Sequence, residues 1–309
     1  MPGTCSTVLI SASAPTSPRA VLVTGASSGI GAAISSALVA QGFLALGAYR
    51  DPADCIGLRA AGIIPIQLDV VDAASLAAAR ALVEDVLGDS PLWGLVNNAG
   101  VSALGAVEAM PLDALRALIE VNVIGVAATC QAFLPLIRNA RGRVVNIGSL
   151  AGERPLPFLG AYSASKAALD ALSESLRHEL EPAGVKVIVI QPGAVRTGMA
   201  AALRGGESAG LSARAPAQPP DPLLAVGLAN VRRALVADAA RGLPPEAIAA
   251  AVLRALTVDD PPARIRVARW TWRSGLARAL PTRWRDRRLA AWVWRTADDG
   301  ARKGGATDG

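Results

Sequence analysis

A phenol and an ammonium stand four residues apart in Ala161-Tyr162-Ser163-Ala164-Ser165-Lys166, and in a helix the i and i+4 side chains share one face. A free phenol titrates at about 10, too high for base work at neutral pH, but a cation close by favours the phenolate and lowers that value. Tyr162 and Lys166 are therefore a candidate proton-exchanging pair. Ser149 follows the apolar run Val144-Val145-Asn146-Ile147-Gly148, where its hydroxyl can donate to an oxygen on which charge develops. Asn122, in a preceding helix, is placed to hold a water that passes protons to Lys166. Singly, each residue reads as packing, solvation or a turn. Tyr162 is one of only two tyrosines, and its pairing with Lys166 downstream of a phosphate-type turn favours chemistry.

That turn joins Val21-Leu22-Val23 to an Ala-rich helix running to Gln41. It reads Thr24-Gly25-Ala26-Ser27-Ser28-Gly29-Ile30-Gly31. Glycine lets the backbone turn tightly, approach a pyrophosphate and seat a helix N-terminus against it. The spacing is G-x-x-x-G-x-G rather than G-x-G-x-x-G, and no Lys follows, which excludes a nucleoside-triphosphate P-loop. Arg50 stands at the tip of the second strand, where a ribose-reading acid is expected for NAD, and the acid comes one residue late as Asp51. An Arg there can pair with a 2′-phosphate, so NADP is favoured, with NAD as the alternative. Asp69, before Val70 at the end of the third strand, suits either an adenine amino group or the cap of a helix from Val71.

Short apolar runs alternate with helical patterns: Ala20–Thr24, Phe43–Tyr49, Ile63–Leu68, Gly94–Asn97, Arg143–Ile147 and Val185–Ile190, with Arg264–Val267 as a last strand. Strands apolar on nearly every residue need cover on both faces, and parallel neighbours need crossover helices. The expectation is an α/β, doubly wound parallel sheet of the Rossmann type in one domain. Residues 1–18 read as a flexible leader, residues 19–268 as the domain with a substrate loop at about 198–242, and residues 269–309 as a Trp- and Arg-rich extension. Asp221 and Pro222 mark the start of a helix to Arg241, and a further helix is expected over Pro244–Leu256. No run stands out as a membrane span. Cys5, Cys55 and Cys130 lie far apart, which suggests neither a disulfide framework nor a zinc site and suits a reducing cytoplasm. The net charge is +6, but Pro261–Arg295 holds ten Arg against Asp286 alone, so the remainder is slightly acidic and the basicity belongs to the tail.

Thr24 to Gly31, Asn97-Asn98-Ala99-Gly100, Asn122, Ser149, Tyr162-x-x-x-Lys166 and Pro192-Gly193 with Thr197 resemble the short-chain dehydrogenase/reductase family over roughly Ala20 to Met199. The layout is similar to the hydroxysteroid and retinol dehydrogenase-like branch. The resemblance implies a cofactor site drawn from Gly25, Ser27, Ser28, Gly29, Ile30, Gly31, Arg50, Asp69, Val70, Asn98, Ala99, Gly100, Tyr162 and Lys166, the last donating to the nicotinamide ribose. It also implies that Pro192, Gly193, Val195 and Thr197 hold the nicotinamide carboxamide. It makes Asn122, Ser149, Tyr162 and Lys166 a catalytic tetrad, with no metal and with a homodimer or homotetramer as the assembly. The sole histidine, His178, falls outside the motif and reads as a helix-surface residue.

The function so implied is hydride transfer between NADP(H) and an alcohol or ketone. Leu150, Leu156, Pro157, Phe158, Leu159 and Met199 suggest an apolar pocket and a lipophilic substrate. Five of six tryptophans, Trp270, Trp272, Trp284, Trp292 and Trp294, lie in the Arg-rich tail. They suit a closing helix packed over the substrate cavity or an oligomer contact, a reading preferred over contact with an anionic membrane. No nucleic-acid recognition module is visible. The rival readings are a catalytically silent nicotinamide-binding regulator or scaffold, and a peripheral membrane enzyme held by its tail.

Overall fold

The computed structural model describes residues 18–199, 221–269 and 281–294. The leader, Trp270 and Trp272 lie outside them, as does most of the stretch between Met199 and Asp221. Seven parallel strands form one sheet: β1 (Ala20–Val23), β2 (Leu44–Tyr49), β3 (Ile64–Gln67), β4 (Leu92–Asn97), β5 (Arg143–Ile147), β6 (Lys186–Pro192) and β7 (Arg264–Val267). Their order is β3-β2-β1-β4-β5-β6-β7. The described helices are α1 (Gly29–Ala40), α2 (Cys55–Ala60), α3 (Ala73–Leu87), α4 (Leu112–Ile119), α5 (Gly125–Ala140), α6 (Leu150–Glu153), α7 (Gly160–Leu180), α8 (Pro222–Ala240), α9 (Pro245–Thr257) and α10 (Thr282–Val293).

Successive strand residues face opposite sides of a sheet, and here both sides are covered. Leu22, Leu46, Leu95 and Val144 pack with Val83 of α3, Phe133 of α5 and Leu169 of α7. Val21, Val23, Val96 and Val145 pack on the other face with Ile34 and Leu38 of α1 and Ile248 and Val252 of α9. This two-sided burial is why the strands read as unbroken apolar runs.

Strand ends differ from the sequence expectation by one or two residues, for visible reasons. Thr24 leaves β1 because its Oγ1 accepts from the N–H groups of Asn98 and Ala99. β6 continues to Pro192 because β7 pairs beside it, with Pro192 opposite Val267. α8 starts as its residues demand: the Asp221 carboxylate accepts from Leu223 N at 2.7 Å, and Pro222 takes the first helical position, where no N–H is needed.

Leu112–Ala140 forms one continuous helical run, long and apolar enough by length and composition to cross a membrane. The sequence reading finds no span because the long apolar stretches are Ala-rich and interrupted by Gly, Pro or charge. In the fold, Val126, Phe133, Leu134 and Ile137 of this run lie in the core against the sheet. The run contains a π-turn over Glu120–Ile124.

Candidate active site

Strand order assembles the site. β1 lies between β2 and β4, β4 pairs with β5, and β5 with β6. The segments that leave the carboxyl ends of β1, β4, β5 and β6 are therefore neighbours, at the point where the winding direction of the sheet reverses. They carry the glycine turn, Asn98-Ala99-Gly100, Ser149 and Pro192-Gly193 respectively.

The turn is built for an anion. A Cβ at Gly31 would lie 2.0 Å from the Gly25 carbonyl oxygen, an overlap no side chain escapes, so only glycine closes this turn onto α1. Ser28, the N-cap of α1, makes no side-chain cap bond, and the first turn holds no acid. The orphan N–H groups of a helix start, with the positive end of its dipole, are thus left for a ligand phosphate. Thr197 stands over Gly29, its Cγ2 3.4 Å from where a Cβ would be. This brings the segment after β6 across the same helix end. These features fit a dinucleotide pyrophosphate.

The side chain of Asn98 clamps the turn: its Nδ2 donates to the Thr24 and Gly25 carbonyls at 2.9 and 3.0 Å. Thr24, which sequence reasoning missed, is the other half of the clamp, holding the main chain of Asn98 and Ala99. Arg50 is exposed at the end of β2 and makes no hydrogen bond or ion pair among the described residues. Asp69 accepts from Val71 N at 3.2 Å and donates its own N–H to Ser75 Oγ at 2.8 Å. It thus tightens the turn after β3, but the N-cap of α3 is Asp72 and the helix begins at Ala73, not Val71. Val70 is buried against Gly125 at the start of α5.

Ser149 caps α6, its Oγ accepting from Ala151 N at 3.1 Å. The cap uses a lone pair and leaves the hydroxyl proton free to donate. Lys166 is buried, and its Nζ donates to the Ile147 carbonyl at 2.8 Å and lies 6.0 Å from the Tyr162 ring centre. Burial draws the Lys166 ammonium down to about 8, against a smaller upward pull from Asp170. Burial pushes the Tyr162 phenol up, and contact with the Ser149 side chain pulls it the other way. Desolvation is the largest influence on the phenol in this structure.

Asn122 is held by its neighbours. It is fully buried within the π-turn, and its amide is committed: Nδ2 donates to Val101 O at 2.9 Å and Ser165 Oγ at 3.0 Å, while Oδ1 accepts from Val101 N at 2.9 Å. The amide braces the Gly100 loop against α7. Gly100 faces both the Asn122 Oδ1 and the Lys166 Nζ, the latter 3.7 Å from its Cβ position. Beneath the site, Asn97, Asn146 and Ser173 form a buried chain that the sequence did not reveal, with bonds of 2.8 Å from Asn97 to Asn146 and from Asn146 to Ser173. His178 is exposed on α7, as expected.

A Rossmann-type sheet with an anion-ready glycine turn, a partly buried Tyr162 and a buried Lys166 at its carboxyl edge defines a dinucleotide-dependent class of protein. A family model for short chain dehydrogenases matches residues 19–208, and the chain belongs to that family. It is similar to the mitochondrial D-beta-hydroxybutyrate dehydrogenase of Rattus norvegicus, with 39% identity over 186 residues, covering 57% of this chain and 54% of the relative. It is likewise similar to the 11-beta-hydroxysteroid dehydrogenase type 2 of Oryctolagus cuniculus, with 40% identity over 189 residues, 59% of this chain and 47% of that one. The chain thus spans about half the length of these curated relatives. A short-chain dehydrogenase from Streptomyces avermitilis superposes with a TM-score of 0.72 and 33% identity, over 96% of this chain and all of the other.

Proposed function

We propose that this protein is an NADP(H)-dependent oxidoreductase that interconverts a lipophilic alcohol and its ketone. The observation that carries the reading is the partly buried Tyr162 with the buried Lys166 and Ser149 beside it, at the edge of an anion-ready glycine turn. The nicotinamide cofactor supplies or accepts the hydride. Ser149 donates to the substrate oxygen, and Tyr162 gives that oxygen a proton in reduction or removes one in oxidation. Lys166 fixes the cofactor edge and the charge near the phenol. Arg50, without a partner among the described residues, is the group for a 2′-phosphate, with NAD as the lesser alternative.

The apolar wall supports a lipophilic substrate. Tyr162 packs against a cluster that contains Leu104, Phe158, Leu159, Leu228, Val231 and Val293. The packing of α10 on this wall supports the reading of the tail as a closing helix. Val293 is buried, Asn230 Nδ2 donates to its carbonyl at 2.8 Å, and Trp294 meets Phe158 edge-on with ring centres 6.1 Å apart. Both rings lie over Gly227, where a Cβ would come within 2.4 Å of Trp294 and 3.0 Å of Phe158. Steroid-sized ketones are the proposed class, in keeping with the hydroxysteroid relative.

A homodimer or homotetramer is proposed because the α4–α5 run leaves Leu112 and Ile124 exposed. The cytoplasm is the proposed compartment; Cys55 and Cys130 are free thiols, which suits a reducing one. Tyr162→Phe tests the activity: turnover with an alcohol and ketone panel should vanish while NADPH still binds, and retained turnover would sink the reading.

A further inference from the structure

Ser149 is carried by α6, the four-residue helix that it caps. None of those four residues is fully buried. A single turn of helix has no stability of its own, so the serine hydroxyl stands only as firmly as the contacts that hold α6 from outside. Gly152 supplies one of them. A Cβ there would come within 2.9 Å of the Lys166 carbonyl carbon and 3.0 Å of the Ala167 nitrogen, which seats α6 directly on the turn of α7 that bears Lys166. Leu150 supplies another, its Cδ1 3.5 Å from where a Cβ on Gly193 would be. Both are packing contacts, without the direction of a hydrogen bond.

Glu153, one turn beyond Ser149, supplies that direction. Its carboxylate meets two guanidinium groups from the edge strand β7. Arg266 donates through Nη2 to Oε1 at 2.7 Å and through Nε to Oε2 at 3.3 Å, and Arg264 donates through Nη1 to Oε1 at 3.3 Å. The two arginines are i and i+2 in a strand and so reach one face. The two-pronged contact of Arg266 sets the orientation of the carboxylate as well as its distance. The Glu153 side chain is only 9% exposed, so the carboxylate is largely stripped of water and depends on its partners. β7 also lies beside β6, and Val267 O accepts from Gly193 N at 2.9 Å. The strand that grips Glu153 therefore holds the Pro192-Gly193 segment as well. The arginines lie 111 and 113 residues away along the chain, and nothing in the local pattern of α6 announces them.

We propose that Glu153 is a positioning residue whose double ion pair to Arg264 and Arg266 fixes α6 on β7 and so holds the Ser149 hydroxyl where charge develops on the substrate oxygen. It acts through Ser149 and not on the substrate, and the proposal rests on the oxidoreductase reading above. The hydrogen bond from Ser149 strengthens as that oxygen becomes negative, so a misplaced donor raises the barrier more than it weakens substrate binding.

The test uses the full chain with NADPH and a ketone that the wild type turns over. Glu153→Gln keeps the shape and removes the charge; it should lower kcat about tenfold while the ketone KM and the NADPH Kd stay within about twofold. Arg266→Gln changes an exposed residue of the strand and leaves α6 intact, and it should do the same. The double variant should be no slower than either alone, because both changes break one device. Arg266→Lys keeps the charge but loses the fork, so its kcat should fall between those of Arg266→Gln and the wild type. A residue that merely stabilised the fold would lower Tm and weaken NADPH together, without separating kcat from KM. Three results would overturn the proposal: a kcat within about twofold of wild type in Glu153→Gln or Arg266→Gln, losses that multiply to about a hundredfold in the double variant, or KM and Kd rising in step with the fall in kcat. If the Glu153 variant misfolds, the Arg266 variants decide. Tyr162→Phe is the control: if it retains turnover the oxidoreductase reading fails, and if it abolishes turnover only the positioning role of Glu153 is at stake.

Discussion

Raising the pH through about 8 should loosen the grip on NADPH and at the same time firm up the cofactor-free fold, and both effects come from Lys166. Burial draws its ammonium from 10.5 down to about 8. Below that value it is a cation able to donate to a bound nucleotide, and above it a neutral amine. With about 1.5–3 kcal/mol for hydrogen bonds from a charged donor, the NADPH Kd should rise about ten- to a hundredfold between about pH 7 and 10. Stability moves the opposite way. A lowered lysine value means that charging the native protein is penalised, by about 3 kcal/mol at about 1.4 kcal/mol per unit. That cost is fully present below about pH 8 and gone above about 10.5, because between them the unfolded chain holds the proton and the native one does not. The buried Cys130 thiol, pushed up from 9.0 to about 11, acts the other way above about pH 9, so the Lys166 gain in stability is read between about pH 8 and 9 and as the difference between wild type and Lys166→Met. Fluorescence titration with NADPH from about pH 6.5 to 10, beside thermal melts without cofactor, reads both. Lys166→Met should flatten both profiles. A wild-type Kd that stays constant across this range, or a Lys166→Met variant that keeps the slope, would refute the reasoning.

Two further outcomes follow from named contacts. Arg50→Ser should weaken NADPH about tenfold, roughly 1.4 kcal/mol, and leave NADH unchanged in calorimetric titration; equal losses for both would show that Arg50 does not read a 2′-phosphate. Trp294→Ala removes a half-buried ring from the Phe158–Gly227 contact, so it should cost about 1–3 kcal/mol in denaturant melts. It should also raise KM for bulky ketones while leaving kcat for small ones nearly intact, and an unchanged KM would detach α10 from the substrate wall.

Much of this was legible in the residues because it is local. Apolar runs with no polar alternation announced a sheet covered on both faces, as Val21, Leu22 and Val23 show by feeding opposite cores. The i, i+4 spacing put Tyr162 and Lys166 on one face of α7, and Asp221-Pro222 marked the start of α8 at the right residue. Helix period, caps and turn glycines involve neighbours a few positions apart, so a linear reading captures them.

What only the tertiary structure decided involves partners far apart in the chain. The amides of Asn98 and Asn122 find partners in Thr24 and Ser165, which come from other elements and which no spacing announces. The Lys166 value depends on how completely β5 and α7 exclude water, and no spacing records that. The landing of Trp294 on Phe158 required a missing side chain at Gly227, and the grip on Glu153 required β7 to lie beside α6. A sequence lays out which groups stand in each segment, whereas burial and competing hydrogen bonds arise only when segments meet, and these set what each group is free to do.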